Sequence, residues 1–63
     1  MARLRIGDKY RQRDSVYTIE SISNNSGDIR VNVSIDTLGN IVKRSIRHSF
    51  FVHNINVGAL VKI

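Results

Sequence analysis

The sequence predicts a single all-β domain of five short strands, and three observations support this. The chain has 63 residues, which leaves room for one domain spanning residues 1–63. Ile and Val contribute nine and seven residues against three Leu, and β-branched side chains suit a pleated sheet better than a helix. Short apolar runs also alternate with turn signals along the whole chain.

The first strand is predicted over residues 3–6 and continues over residues 9–13. Apolar side chains hold even positions there, and five cations hold odd positions. In a fully extended segment these cations line one face, although Gly7 permits a bend that would break the alternation. The five cations are Arg3, Arg5, Lys9, Arg11 and Arg13.

The second strand is predicted over residues 16–23 (VYTIESIS). Tyr17 and Ile19 would face the core, with a slip in the alternation near Glu20. Residues 24–28 (NNSGD) form the clearest turn in the chain, because Asn and Gly tolerate positive φ and Asp and Ser bond to nearby amides.

The third strand, residues 29–36 (IRVNVSID), alternates cleanly between apolar and polar side chains, which indicates one buried face. Residues 37–40 (TLGN) predict a hairpin turn, and residues 41–48 (IVKRSIRH) predict the return strand. In that strand Lys43 and Arg44 would point to opposite faces.

The alternation stops at Ser49, which predicts one helical or 3-10 turn over residues 49–55 with Ser49 as its cap. A last strand over residues 59–63 (ALVKI) would lie beside the first. The predicted core consists of Leu4, Ile6, Tyr17, Ile19, Ile22, Ile29, Val31, Val33, Ile35, Val42, Ile46, Phe51, Ile55, Leu60 and Val61.

This succession of elements resembles the small SH3-like β-barrels. The resemblance implies a five-stranded SH3-like barrel with one helical or 3-10 turn before the last strand, a fold that serves many functions. The opening IGDKY, followed by a polar turn and VYTI, also looks like small accessory proteins encoded by phages and prophages. The residues that carry the resemblance are Gly7–Asp8, Val16–Ile19, the turns 24–28 and 37–40, and residues 49–55 before 59–63.

Composition excludes several classes of protein. The chain has no Cys, so disulfides, thiolate metal sites and a cysteine nucleophile are excluded. It has no apolar run of about 18 residues, so no membrane span is expected. The opening residues carry charge without an apolar segment behind them, unlike a signal peptide. We therefore expect an intracellular, cytoplasmic protein.

The residues that carry chemistry in enzymes are sparse. His48 and His53 are five apart and lack the further ligands that a structural zinc site requires. The five acidic residues form no recognisable acid–base pair, and no glycine-rich phosphate loop is present. The sequence therefore predicts a protein that is not an enzyme and that holds no metal or cofactor.

Positive charge is the feature that points to a function. The formal net charge is +5, with seven Arg and three Lys, and arginine forks onto phosphates and stacks on bases. Tyr10 lies between Lys9 and Arg11, which makes it the candidate for stacking on a base. We therefore predict non-enzymatic binding of DNA or RNA with low sequence specificity. The predicted contact residues are Arg3, Arg5, Lys9, Tyr10, Arg11, Arg13, Lys43, Arg44 and Arg47.

Other interpretations of the same residues stay open. Cations are also expected on a strand face that is simply exposed to water. Tyr10 holds an even position, like the apolar residues of this segment, which is typical of a core residue. A second functional class is a protein-interaction module, a phage-like inhibitor or regulator that binds an acidic or nucleic-acid-binding protein surface. An exposed apolar patch around Phe50, Val52 and Val57 would favour it. A third is a self-assembling subunit such as a homodimer, because the core of so short a chain is small.

Overall fold

The computed structural model describes residues 4–63, which form one five-stranded antiparallel sheet and one short helix. The strand order is β4-β3-β2-β1-β5, and helix α1 packs on one face of the sheet, against β3 and β4. The predicted mostly-β fold is confirmed. The elements are β1 (Lys9–Gln12), β2 (Ser15–Asn25), β3 (Asp28–Thr37), β4 (Asn40–Arg47), α1 (His48–Asn56) and β5 (Val61–Lys62).

The sheet is open, so the predicted SH3-like barrel is not confirmed. Among the described residues β4 and β5 form the two edges and do not pair with each other. A barrel closes only when its edge strands meet with matching tilt and stagger. Here β1 has four residues and β5 has two, whereas β2 and β3 have eleven and ten. The two residues of β5 offer few backbone groups with which to pair with β4.

The chain before β1 bends at Gly7, which has a φ of 94°. Its N–H donates to the Ile19 carbonyl at 2.7 Å, and the Ile19 N–H donates to the Asp8 carbonyl at 3.0 Å. The first strand therefore begins at Lys9, later than predicted. The bend breaks the alternation, and the Ile6 side chain is 69% exposed instead of lying in the core.

Strands β2, β3 and β4 form two hairpins. The hairpin of β3 and β4 is the predicted one, and the hairpin of β2 and β3 turns within the predicted turn at residues 24–28. The register between β2 and β3 shifts between Ile19 and Ser21, which confirms the predicted slip near Glu20 as a β-bulge. The hairpins turn at Ser26–Gly27 and Leu38–Gly39, where all four residues have positive φ. Two such residues form the two-residue turn that matches the twist of paired strands.

Helix α1 follows β4 directly and is longer than the predicted single turn. Arg47 holds the N-cap position, and no side chain caps the helix, so the prediction that Ser49 is the cap is wrong. The helix ends at Asn56, and the Gly58 N–H donates to the Ile55 carbonyl at 3.1 Å. Positive φ at Gly58 is typical of a helix C-terminus.

The core is a cluster of six buried side chains between α1 and the sheet. Phe51 is fully buried and meets the Tyr10 ring edge-on, with ring centroids 5.4 Å apart. Such aromatic pairs add about 0.5–1.5 kcal/mol beyond the area they bury. The six residues are Tyr10, Ile19, Val31, Val33, Phe51 and Leu60.

The predicted core was too large. Leu4, Tyr17, Ile35, Ile46 and Ile55 are half-buried against the cluster. A nine-residue helix is only about 13.5 Å long, and the β-hairpins extend beyond it. Three hairpin side chains predicted to be buried, Ile22, Ile29 and Val42, are therefore exposed. Ile6, before β1, and Val61 on β5, which is opposite Arg11, are exposed as well.

The two phenylalanines at the start of α1 provide a test of this core. Phe51→Ala should cost about 3–5 kcal/mol of unfolding free energy, which is about the whole stability that so small a core supplies. Phe50 is 61% exposed, so Phe50→Ala should change stability by less than about 1 kcal/mol. Urea denaturation followed by circular dichroism measures both. Equal losses for the two variants would contradict the described core.

Tyr10 provides a second test, through pH. Burial raises the pKa of its phenol above the ordinary value of 10.0, and the nearby negative charge of Asp8 raises it further. Because the folded pKa exceeds the unfolded one, this contribution to stability is complete below pH 10 and is lost as pH rises through the raised pKa.

We therefore expect the free energy of unfolding to fall at alkaline pH, and to fall less steeply in Tyr10→Phe. Parallel urea titrations of the two proteins on either side of pH 10 measure the difference. Tyr17→Phe is the control variant, because that ring is only half-buried. If the free energy of unfolding changes with alkaline pH identically in the wild type and in Tyr10→Phe, the pKa of Tyr10 is the same in the folded and the unfolded state, and the prediction is wrong.

Candidate nucleic-acid interface

The two faces of the sheet differ in what covers them. Residues paired directly across antiparallel strands point to the same face, and successive residues alternate. Tyr10, Ile19, Val31 and Val33 are buried on the face that carries α1. The opposite face, here called the outer face, is not covered by the helix. It presents Lys9, Arg11, Val16, Thr18, Glu20, Ser21, Ser23, Asp28, Arg30, Asn32, Ser34, Asp36, Ile41, Lys43, Ser45 and Arg47.

A row of four cross-strand neighbours crosses the middle of the outer face. Lys9 on β1 is opposite Thr18, Thr18 is opposite Ser34, and Ser34 is opposite Lys43 on β4. Three strand spacings of about 4.8 Å place the backbones of the two lysines roughly 14 Å apart. The row therefore holds one cation at each end and two hydroxyl groups between them.

The neighbouring rows continue this polar surface. Ser21, Asn32 and Ser45 form the next row, in which the Asn32 side-chain amide donates to the Ser21 hydroxyl at 2.9 Å. Beyond them Arg30 lies directly opposite Arg47. Like charges placed opposite each other on a sheet repel, and an anion bound between them would relieve that repulsion.

Two carboxylates neutralise part of the charge on the outer face. Glu20 pairs with the Lys43 ammonium at 3.1 Å, and Asp28 pairs with the Arg30 guanidinium at 3.1 Å. The Lys43 side chain is 76% exposed and the Glu20 side chain 45%. Ion pairs this exposed contribute about 0–1 kcal/mol, so a phosphate can replace the carboxylate at little cost.

The structure sorts the predicted cations into different places. Lys9, Arg11, Lys43 and Arg47 lie on the outer face, whereas Arg44 points to the helix side of β4. Two cations from each basic segment thus share one face, at its opposite sides. Of the other predicted contacts, Arg5 is exposed before β1, Arg13 lies in the turn after β1, and Arg3 lies outside the described residues.

Sequence reasoning missed Arg30 as a member of this face. It is isolated in the chain, so it belonged to neither basic cluster. The signal that could have found it is the β3–β4 hairpin register, which places Arg30 opposite Arg47.

The prediction that Tyr10 stacks on a base is wrong for this structure. Tyr10 is 3% exposed and packs against Phe51. Tyr17 is half-buried on the helix side, and Phe50 is exposed on the helix. No aromatic ring of residues 4–63 lies on the outer face, whose side chains are charged, polar or, at Val16 and Ile41, aliphatic.

Two further observations concern metals and membranes. His48 begins α1 and His53 lies in its last turn. Within residues 4–63 no three His, Asp or Glu side chains come together as a potential metal site. The one helix in this part of the chain is too short to cross a membrane.

Comparisons of the chain with protein-family models, with curated proteins and with solved structures find no match.

Proposed function

We propose that this chain is a non-enzymatic nucleic-acid-binding protein of low sequence specificity that contacts the phosphate backbone through its outer face. The observation that carries the proposal is the row Lys9–Thr18–Ser34–Lys43, with cations at both ends and hydroxyl groups between. Cations neutralise phosphates and release their counterions, while hydroxyl and amide groups bond to phosphate oxygens.

The spacing of the cations favours a duplex. The backbones of Lys9 and Lys43 are roughly 14 Å apart, close to the ~12 Å width of the major groove of B-form DNA. One side of the outer face would then contact one phosphate strand and the other side would contact the second. Phosphate contacts fix position without reading bases, which accounts for low sequence specificity.

The side chains on the outer face also argue against single strands. Proteins that bind single strands use exposed aromatic rings as stacking platforms, and the rings of residues 4–63 lie elsewhere. We therefore propose double-stranded DNA as the preferred partner. In this proposal the chain acts in the cytoplasm as a small regulator, like the phage-encoded proteins that its opening resembles.

The second candidate is a protein-interaction module, and one observation favours it. Phe50, near the start of α1, and Val57, the C-cap residue that follows it, are each 61% exposed. Val52 is half-buried, so the exposed apolar surface is narrower than the patch considered from the sequence. An interface on this side of the helix would be independent of the outer face.

Adjacent residues of β4 offer a matched test of the proposed nucleic-acid face. Lys43→Gln and Arg44→Gln each remove one positive charge, but only Lys43 lies on the outer face. We expect Lys43→Gln and Lys9→Gln each to weaken binding of a mixed-sequence duplex and to lower the salt slope by about one. Arg44→Gln should change both much less. Fluorescence anisotropy between ~50 and ~200 mM salt measures both quantities.

Equal effects of Lys43→Gln and Arg44→Gln would show that net charge, and not this face, governs binding. No binding of the wild type to duplex DNA at the lower salt would refute the proposed function. A labelled single strand of the same sequence is the second probe, and tighter binding to it would contradict the preference for a duplex.

Glu20 gives a prediction of the opposite sign. Its carboxylate holds the Lys43 ammonium at 3.1 Å and adds negative charge to the outer face. Glu20→Gln should therefore strengthen duplex binding, by about threefold to tenfold for one repulsive charge removed and one lysine released. Asp14→Asn, at the turn between β1 and β2, removes the same charge away from this row. A gain in Asp14→Asn as large as that in Glu20→Gln would contradict the assigned face.

A further inference from the structure

The two open edges of the sheet are treated differently by the sequence. The edge strand β4 carries Lys43, Arg44 and Arg47 and no acidic residue. Charged side chains of this kind protect an edge from pairing with other chains. On the other edge, Val61 and Ile63 are 57% and 62% exposed. The β5 edge carries one cation, Lys62, and β4 also exposes Ile41 and Val42, so the two edges differ in charge and not in apolar exposure. Exposed sheet edges serve for the docking of extended segments.

A groove runs along this second edge, between the end of β1 and the segment that contains β5. It has a volume of about 620 Å³, and its lining includes Arg11, Arg13, Val61 and Ile63. Neither arginine forms an ion pair within residues 4–63. The groove therefore combines two unpaired guanidinium groups with two exposed apolar side chains.

Arg13 is held in a strained conformation beside this groove. Its φ is 55°, in the left-handed region that Gly and Asn adopt far more easily. A residue with a long side chain costs of order 1 kcal/mol there.

The backbone of β5 offers a short point of attachment. The Ile63 N–H donates to the Lys9 carbonyl at 3.1 Å. Because successive residues of a strand direct their N–H and C=O groups to opposite sides, those of Lys62 point away from β1. The Lys62 ammonium lies 3.9 Å from the Asp8 carboxylate. Two residues of strand are too few to hold a partner by main-chain bonds alone, so the side chains of the groove must supply the affinity.

From these observations we infer that the groove docks an extended, acidic segment of another protein. Its carboxylates pair with Arg11 and Arg13, and an apolar side chain between them packs on Val61 and Ile63. A second copy of this chain fits poorly. Antiparallel pairing of two β5 strands about Lys62 would place the two lysines opposite each other and bring the arginines of both copies together.

This inference goes beyond the proposed nucleic-acid binding and stands apart from it. It depends on Arg13, Val61 and Ile63, whereas the nucleic-acid proposal depends on the row from Lys9 to Lys43. The two surfaces adjoin at Arg11, which lies on the outer face and also lines the groove, and Val61 is directly opposite Arg11 and points to the same side.

The test uses three labelled peptides and fluorescence anisotropy. The first is a short peptide of alternating Glu and Val, the second has Lys in place of Glu, and the third has Pro in place of the central Val. We expect the first peptide to bind and each of the other two to bind at least about tenfold more weakly. The Lys peptide lacks the carboxylates that form charge-assisted hydrogen bonds, and the Pro peptide lacks the central Val of the extended segment.

Variants locate the site. Arg13→Asn suits the positive φ while removing the charge, and should weaken the acidic peptide about tenfold without loss of stability. The double variant Val61→Ser/Ile63→Ser should weaken it similarly and leave duplex DNA binding unchanged. The matched control is Leu38→Ser/Ile41→Ser, whose side chains are 81% and 63% exposed elsewhere. It should bind the peptide as the wild type does.

Three results would overturn the inference. The first is equal binding of the acidic and the basic peptide by the wild type. The second is unchanged binding of the acidic peptide by Arg13→Asn. The third is loss of acidic-peptide binding in both Lys9→Gln and Lys43→Gln, with binding retained in the groove variants. The last would mean that the peptide imitates phosphates on the outer face, and the nucleic-acid proposal would survive it. Failure of DNA binding with intact peptide binding would refute only the nucleic-acid proposal.

Discussion

The contact of Phe51 with Tyr10 is the interaction on which the rest of the structure depends. It joins the one helix to β1, the strand that connects the main hairpins to β5. Both rings are buried in a core of six residues, and α1 also packs against β3 and β4. Because this contact fixes α1 on one face, the other face is free to carry only polar and charged side chains along its central rows. The asymmetry of the domain, and hence its candidate binding surface, follows from this packing.

The same packing explains why charge can collect on the outer face. A sheet covered on both sides would bury its lysines and arginines at high cost, whereas a sheet covered on one side leaves them in water. The row from Lys9 to Lys43 crosses four strands with no large side chain between its ends. The bulge at Glu20 directs a carboxylate onto this face, where it pairs with Lys43. That carboxylate limits the local potential, so affinity for phosphates is set by a balance of nearby charges.

The alternation of apolar and polar residues predicted the strands and the bulge, which depend on neighbours close in the sequence. The alternation of residues 29–36 specified β3, and the broken alternation near Glu20 located the bulge, because a strand has a period of two residues. Closure and burial depend on distant contacts, and there the predictions are confirmed only in part: Ile19, Val31, Val33, Phe51 and Leu60 are buried as predicted, whereas the barrel is not confirmed. Tyr10 was considered for stacking because of its charged neighbours, yet Phe51, 41 positions further along, buries it. The bend at Gly7 separates Arg5 from the cations of β1, and only the strand register places Arg30 opposite Arg47.

The two proposed surfaces meet at Arg11, and this meeting has a physical consequence. Arg11 is opposite Val16 on the outer face and opposite Val61 at the groove, so its guanidinium is within reach of either ligand. One guanidinium cannot fork onto a phosphate and a carboxylate with full strength at the same time. The negative charge of an acidic segment in the groove would also lower the attraction of phosphates at the nearby Lys9. Bound partner and bound nucleic acid would therefore weaken each other, by the same factor in both directions because coupling between binding sites is reciprocal. A domain of 63 residues would in this way link protein docking to release of nucleic acid without any change of fold.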